Sequence, residues 1–486
     1  VSASGLKRDL GVLGLVATGV GSMVGAGINI VPFALQRSVP VGPHTLSAYA
    51  LAAVPAVLAA LCYAMLASAM PRAGGSYVYV SRSLGAYAGF VASFSQWVGL
   101  CIAIGVVSYV IAPFLRDTAA AAGWLGVAGW LDRGPVRLLI ALGALWGAWG
   151  LNRLGVKAVA SALVPLMVLT FACGGLVIWA GATHDHAAYA AVVPAALGVT
   201  AEARPLSAVM LPAAAVLFSS FIGFDAIAQA GGEARDPSRT LPLAIGLAIG
   251  VVGAFYLAFT WAVHHAVPWP YLAQEAARRD VSAPGLLAPL VSRPVAVLMV
   301  AGAAIALIKD LPGMLLGVSR LCFAWASDGI MPRGLLRVHP VRGTPDAALL
   351  LSAGLATAGI LGNHFAGDFF LGVDILVTAM LVNFLAVAVA VLALPRTNPA
   401  LDADVAVVRH RGVRRALAAA AFAVLLVFAV QHTRRDLASG AAWYAQSTPT
   451  WLLVMAIGTV VYAREVRALA RRGGDLAAIT RVLPPE

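Results

Sequence analysis

Charge is what this sequence has least of. Only 11% of its 486 residues are Asp, Glu, Lys or Arg, against 61% hydrophobic, whereas soluble domains carry roughly 25% charged residues. That balance excludes a water-soluble globular protein and predicts a polytopic membrane protein. Cysteine is scarce as well. Cys62, Cys101, Cys173 and Cys322 each lie alone in an apolar run, without metal or disulfide spacing, and read as small buried hydrophobes. No nucleotide-binding loop, nucleophile–base pair or metal-ligand cluster occurs at workable spacing. An enzyme, a metal site, a cofactor and nucleotide-driven work are therefore not expected. The formal charge of +12 does not imply nucleic acid, because the basic residues sit in short loops between apolar runs and read as topology signals.

What the chain does have is long apolar stretches. Spans are expected at 10–35, 45–70, 86–114, 136–151, 158–181, 207–231, 241–264, 294–326, 346–362, 369–394, 413–431 and 449–463, about twelve transmembrane helices in all. Between the second and third, residues 71–82 read as a short amphipathic helix at the membrane interface. With the N-terminus placed in the cytoplasm, about 22 Lys and Arg fall inside, Lys7 and Arg8 among them, and about 10 outside. This asymmetry puts both termini in the cytoplasm. The polar start Val-Ser-Ala-Ser-Gly-Leu-Lys-Arg-Asp does not fit a cleaved signal, and no separate soluble domain is expected. The apolar loop segment 283–290 reads as a helix pressed onto the protein. His44, His184, His186, His264 and His265 fall at outer ends or loops and read as solvated, and most Trp and Phe as lipid-facing or interfacial anchors.

Two spans are interrupted. The first carries Gly-Ser-Met-Val-Gly-Ala-Gly-Ile at 21–28, and glycine costs a helix about 1 kcal/mol relative to alanine. Two readings follow: close packing through small residues, or a backbone opened at membrane depth, exposing N–H groups on one side and carbonyls on the other. The sixth reads Leu-Phe-Ser-Ser-Phe-Ile-Gly-Phe-Asp at 217–225, with paired serines, a glycine and a carboxylate at mid-depth. Asp225 is functional by default there, the alternative being a carboxylate bonded to freed backbone. First and sixth are matching positions in two five-helix halves. Paired discontinuities of this kind point to a transporter of inverted repeats with a midplane site.

The motifs resemble a family. Gly-Ser-Met-Val-Gly-Ala-Gly-Ile, Leu-Cys-Tyr-Ala-Met-Leu-Ala-Ser-Ala-Met-Pro-Arg-Ala-Gly-Gly-Ser-Tyr-Val-Tyr at 61–79, and Phe-Ile-Gly-Phe-Asp followed by Gly-Glu-Ala-Arg-Asp-Pro-Ser-Arg-Thr-Leu-Pro at 232–242 look like amino acid–polyamine–organocation permeases. So does Ser-Arg-Leu-Cys-Phe-Ala-Trp-Ala-Ser-Asp-Gly-Ile-Met-Pro at 319–332. Within that superfamily the chain is most similar to the cationic amino acid transporter-like branch. The resemblance implies an all-α LeuT-type fold of five plus five inverted helices, residues 1–399, with two additional helices and a tail in 400–486. It also implies that a substrate carboxylate meets the amides of Gly25, Ala26 and Gly27. The substrate ammonium would meet carbonyls at Met23, Ser219 and Ile222, with Ser220 and Asp225 beside them. The chain departs from the family pattern at Ser219, where an aromatic gate is common, at Met65, at Asn29, and at Thr170, where proton-coupled relatives often carry lysine.

An intramembrane lysine stands elsewhere, in Ala-Leu-Ile-Lys309-Asp310-Leu-Pro312-Gly of the eighth span. Adjacent charges in an apolar helix face protein or water, and Pro312 leaves the carbonyl of Ile308 without its helical donor. In the LeuT-type fold that the resemblance implies, the middle of the eighth span lies against the first near the cation site of sodium-coupled members, and Lys309 is read as filling that cation's place, with a static ion pair as the alternative. Together these features predict a secondary transporter of amino acids or related amines, working by alternating access, with a proton as coupling ion and Lys309 and Asp310 as the coupling pair. Its setting is a lipid bilayer, expected to be a bacterial inner membrane, and its oligomeric state is open. A carrier of another small solute and a non-transporting sensor of the same fold are the rival readings.

Overall fold

The computed structural model describes residues 8–202, 204–278, 280–366 and 369–484; Lys7 lies outside them. Every expected span is helical. Among the described residues ten helices are long and apolar enough to cross a bilayer, and the first span is the broken pair Val12–Met23 and Ala26–Arg37, bent by 44°. The last helix, Ser447–Arg471, has 25 residues, about 37 Å at 1.5 Å per residue, but carries Arg464, Glu465 and Arg467 near its end. Helices overrun the expected ends most at Ala121 and Arg471, because intrahelical hydrogen bonding continues past the apolar stretch into the headgroup region.

The spans sort into an inner and an outer set. In the second, third, sixth, eighth and tenth spans 61–72% of the apolar window is buried inside the protein, against 22–39% in the fourth, fifth, seventh and eleventh. The third span packs on the eighth, ninth and tenth, and the first on the fifth, seventh and eighth. Ala, Gly and Ser on the shared faces allow this close approach, since lipid offers no hydrophobic drive between helices and contact depends on fit. Phe33, Phe90, Phe218, Phe221 and Trp325 lie in the core, while Trp124, Trp130, Trp179, Trp261 and Trp443 are exposed. The anchor reading thus fails for those phenylalanines and for Trp325, while the other tryptophans named are on the surface. The four cysteines are buried and free.

Two sequence expectations are corrected here. The helix Gly75–Leu84 is not interfacial: every residue from Gly75 to Ser83 is buried. Its polar groups are consumed by tertiary partners rather than by headgroups. Arg82 donates to Asp328 at 2.9 Å, Tyr77 donates to the other Asp328 oxygen at 2.7 Å, and the Arg82 Nε reaches the carbonyl of Val482 at 3.0 Å. His264 is also not solvated, since its ring packs on Phe33 and its Nε2 is enclosed without a partner. The segment 283–290, by contrast, forms the expected helix, Ala283–Leu287, with Leu286 and Leu287 buried.

At the same end of the molecule Arg320 grips Glu233 through Nε at 3.0 Å and Nη2 at 2.5 Å, both side chains 1% exposed. Leu10 bonds the carbonyl of Glu233 and accepts from Arg235, at 3.0 and 2.8 Å. The Gly-Glu-Ala-Arg and Ser-Arg motifs therefore meet in one buried cluster. Removing one member of a buried pair strands the other charge at a cost of about 3–5 kcal/mol, whereas replacing both with apolar groups is close to neutral. Arg320→Met is expected to lower the thermal midpoint of detergent-solubilised protein markedly, and the double variant Arg320→Met, Glu233→Met to recover most of that loss; melting curves of the three proteins check it.

Candidate functional site

The first span stops being a helix at Val24 (φ −87°, ψ 85°) and Gly25 (φ −155°, ψ −116°), and resumes at Ala26. A helix end leaves carbonyls without intrahelical donors, and most find partners here. The Met23 carbonyl accepts from Gly25 N at 3.1 Å and from the Tyr256 hydroxyl at 2.5 Å. The Val20 and Val24 carbonyls accept from Lys309 Nζ at 3.4 and 3.1 Å. The Gly25 carbonyl takes the Asn29 side chain at 2.9 Å, which gives that departure from the family pattern a local role. On the other side of the break, no described residue bonds the amides of Ala26 or Gly27.

The sixth span is interrupted alongside it. A 3-10 turn covers Phe218–Phe221, Ile222 is extended, and Gly223 adopts φ +137° before the helix resumes at Asp225. The two breaks touch backbone to backbone. A Cβ on Gly27 would lie 2.8 Å from Ser220 Cα, and one on Gly223 would lie 2.5 Å from the Ser22 carbonyl oxygen. Gly223 is obligatory twice over, because its positive φ also disfavours any side chain. Ser220 Oγ closes the junction by donating to the Gly27 carbonyl at 2.7 Å, and Tyr256 reaches the Ser220 carbonyl at 3.1 Å.

A cavity of about 60 Å³ opens at this crossing, room for a handful of water-sized groups. Met23, Ala26, Gly27, Ser219, Ile222 and Asp310 share its wall, and Leu100, Val106, Met314 and Leu376 are among the apolar residues that complete it. On the side away from the Arg320–Glu233 pair lies a larger cavity of about 340 Å³, lined in part by Ala34, Arg37, Val110, Arg116 and Phe370. Ala34, Val110 and Phe370 stand near Val31, Val107 and Gly372 of the inner cavity in sequence, so the two spaces follow the same three helices.

Four of the expected site residues do not line the cavity. Gly25 is covered by the Asp310 carboxylate and its amide is spent on Met23, so the seat for an anion narrows to Ala26 and Gly27. Ser220 braces the junction. Lys309, with its side chain fully enclosed, bridges the first and eighth spans, and its Nζ also lies 3.3 Å from Asp310 Oδ1. Asp225 sits one layer behind. It accepts from Gln96 Nε2 and from Gly223 N at 3.1 Å, and Gln96 Oε1 in turn accepts from Ser76, Asn383 and Gln229 at 2.5, 3.1 and 3.2 Å. This closed network ties the third, sixth and tenth spans to the buried helix Gly75–Leu84. Sequence reasoning passed over Tyr256, Gln96 and Asn383. The available signal was a single polar group inside an apolar run, which marks a satisfied partner at membrane depth.

Residues 10–462 match the amino acid permease family model, and the chain belongs to that family, as its motifs led one to expect. It is 33% identical to an uncharacterized transporter of Mycobacterium tuberculosis over 374 residues, 74% of this chain and 76% of that one. It is 26% identical to the branched-chain amino acid permease BcaP of Bacillus subtilis over 365 residues, 71% of this chain and 72% of the relative. Cationic amino acid transporter 4 of Homo sapiens is 27% identical over 370 residues, 73% of this chain and 55% of that longer protein.

The junction makes unequal demands on its glycines. A methyl on Gly27 meets backbone, which cannot swing aside, while one on Gly25 meets the end of the Asp310 side chain. Gly27→Ala is expected to cost about 1–3 kcal/mol through overpacking, and Gly25→Ala less, because Asp310 can rotate away. Thermal unfolding of both variants beside the native protein measures the difference, and an equal loss would contradict the junction geometry.

Proposed function

We propose that this protein is a secondary transporter of small neutral amino acids, carrying its substrate through a midplane site by alternating access. The observation that carries the reading is the cavity at the crossing of the two breaks. Its wall combines the unbonded amides of Ala26 and Gly27, one carboxylate, and an apolar lining from the third, eighth and tenth spans. Amides at the start of the outer half-helix suit a carboxylate, and the apolar wall suits a short aliphatic side chain. A cationic side chain would find no second carboxylate, since Asp225 lies behind the cavity wall, in the network with Gln96 and Gly223. Membership of the amino acid permease family and likeness to a branched-chain amino acid permease support the same substrate class.

Residues 1–399 are read as the transport core, with 400–486 as an added helix pair and tail, in a bacterial inner membrane with both termini cytoplasmic. On that topology the Arg320–Glu233 and Arg82–Asp328 pairs bar the inner side and the larger cavity faces out. Lys309 and Asp310 form the coupling pair. The Lys309 ammonium rests against the Val20 and Val24 carbonyls, as a bound cation would, and holds the eighth span to the inner half of the first. Loss of its proton removes that hold and favours inward opening, which couples transport to a proton gradient and leaves sodium without a role.

Uptake into proteoliposomes tests this. The native protein is expected to concentrate L-valine under an inward proton gradient, up to about tenfold per pH unit at one proton per substrate, since a factor of ten corresponds to about 1.4 kcal/mol. Lys309→Met is expected to fall to simple equilibration. Concentrative uptake by Lys309→Met, equal to native and equally dependent on pH, would make the lysine a static tie between helices.

A further inference from the structure

Asp310 occupies the ground directly in front of Gly25, so close that a Cβ on that glycine would lie 1.6 Å from Asp310 Oδ2. Its two oxygens have different fates. Oδ1 faces the Lys309 ammonium at 3.3 Å. Oδ2 receives no hydrogen bond from the described residues, and the side chain stands on the cavity wall, where it is the one ionisable group among the lining residues. The Met23 carbonyl, which the family resemblance assigns to a substrate ammonium, already holds Gly25 N and the Tyr256 hydroxyl. The single Tyr256 proton goes to Met23, the shorter of its two contacts, and two donors fill the two lone pairs of a carbonyl oxygen. A cation entering this small, apolar space is costly unless an anion receives it, and Asp310 Oδ2 is the anionic acceptor within reach.

We propose that Asp310 Oδ2 is the receptor for the ammonium of the transported molecule, so that the site requires a primary amine on an uncharged aliphatic body and tolerates loss of the carboxylate. This rests on the cavity being the substrate site. The charges explain the ranking. A zwitterion adds one charge of each sign to the Lys309–Asp310 pair and leaves the site neutral, with its carboxylate on Ala26 and Gly27. An amine lacking the carboxylate keeps the Asp310 contact and leaves one excess positive charge, so it binds more weakly. A carboxylate lacking the ammonium adds a negative charge beside Asp310 and has no use for Oδ2. Asp310 thereby serves recognition and, through Oδ1, holds the coupling lysine.

Binding of L-valine, isobutylamine and isovalerate to the purified full-length protein tests this, read by competition against labelled L-valine. These probes share one aliphatic body and carry both charged groups, the ammonium alone, or the carboxylate alone. In the native protein isobutylamine is expected to compete, within about a hundredfold of L-valine, and isovalerate to be inert. Asp310→Asn is expected to weaken L-valine binding by roughly tenfold to a hundredfold, the range for a hydrogen bond to a charged group. Because that change strands Lys309, the double variant Lys309→Met, Asp310→Asn, which removes both charges, is measured beside it and is expected to show the same loss. L-Valine affinity within threefold of native in the double variant would overturn the assignment while leaving the substrate site intact. So would competition by isovalerate equal to that of isobutylamine. Failure of folded native protein to bind any of the three probes would instead overturn the substrate-site reading, and this proposal with it.

Discussion

The contact on which this structure depends is between two pieces of opened backbone, one inside the first span and one inside the sixth. Gly27 lies on Ser220 and Gly223 on Ser22, so near that neither glycine has room for a methyl group. Opened backbone is tolerable inside a membrane span only if its polar groups are satisfied by protein or face a cavity. Each break therefore needs the other. Ser220 Oγ answers the Gly27 carbonyl, and Tyr256 spans both breaks from the seventh span. The amides left over, at Ala26 and Gly27, belong to residues on the cavity wall, so the polar surface of the cavity is what remains after the junction has satisfied itself.

Charge is used sparingly, and in pairs. Glu233 with Arg320, Asp328 with Arg82, and Asp310 with Lys309 are all buried; the first two join segments distant in sequence, and the third, between neighbours on one helix, reaches the first span through Lys309. The first two lie together at one end, where the N-terminal stretch around Leu10 and the tail at Val482 are also tied in. The third lies at the crossing of the first and eighth spans. Buried pairs contribute little net stability but are costly to break singly, which suits contacts that specify one arrangement of helices. Asp225 belongs to a different class. It is held by an amide side chain and a backbone N–H rather than by a cation, in a network linking four helices.

Much of this was legible in the chain itself. Low charge and long apolar runs set the membrane class and every span, because hydrophobic length against bilayer thickness is a one-dimensional property. The glycine cluster at 21–28 and the Ser-Ser-Phe-Ile-Gly-Phe-Asp stretch located both breaks, because glycine and paired hydroxyls alter local backbone preference wherever they stand. The motifs placed the chain in its family. Tertiary structure alone decided which side chains face the cavity. Asp225 and Asp310 read alike in the sequence, each a carboxylate in an apolar helix. One is turned into a closed network and the other onto the cavity wall, since that choice depends on helix rotation and on what the facing spans supply. The same holds for Gly75–Leu84, whose polar face seeks water in isolation and finds Asp328 and Gln96 in the fold. Periodicity specifies that a face is polar; only the packed neighbours determine whether water, lipid headgroup, another side chain or substrate satisfies it.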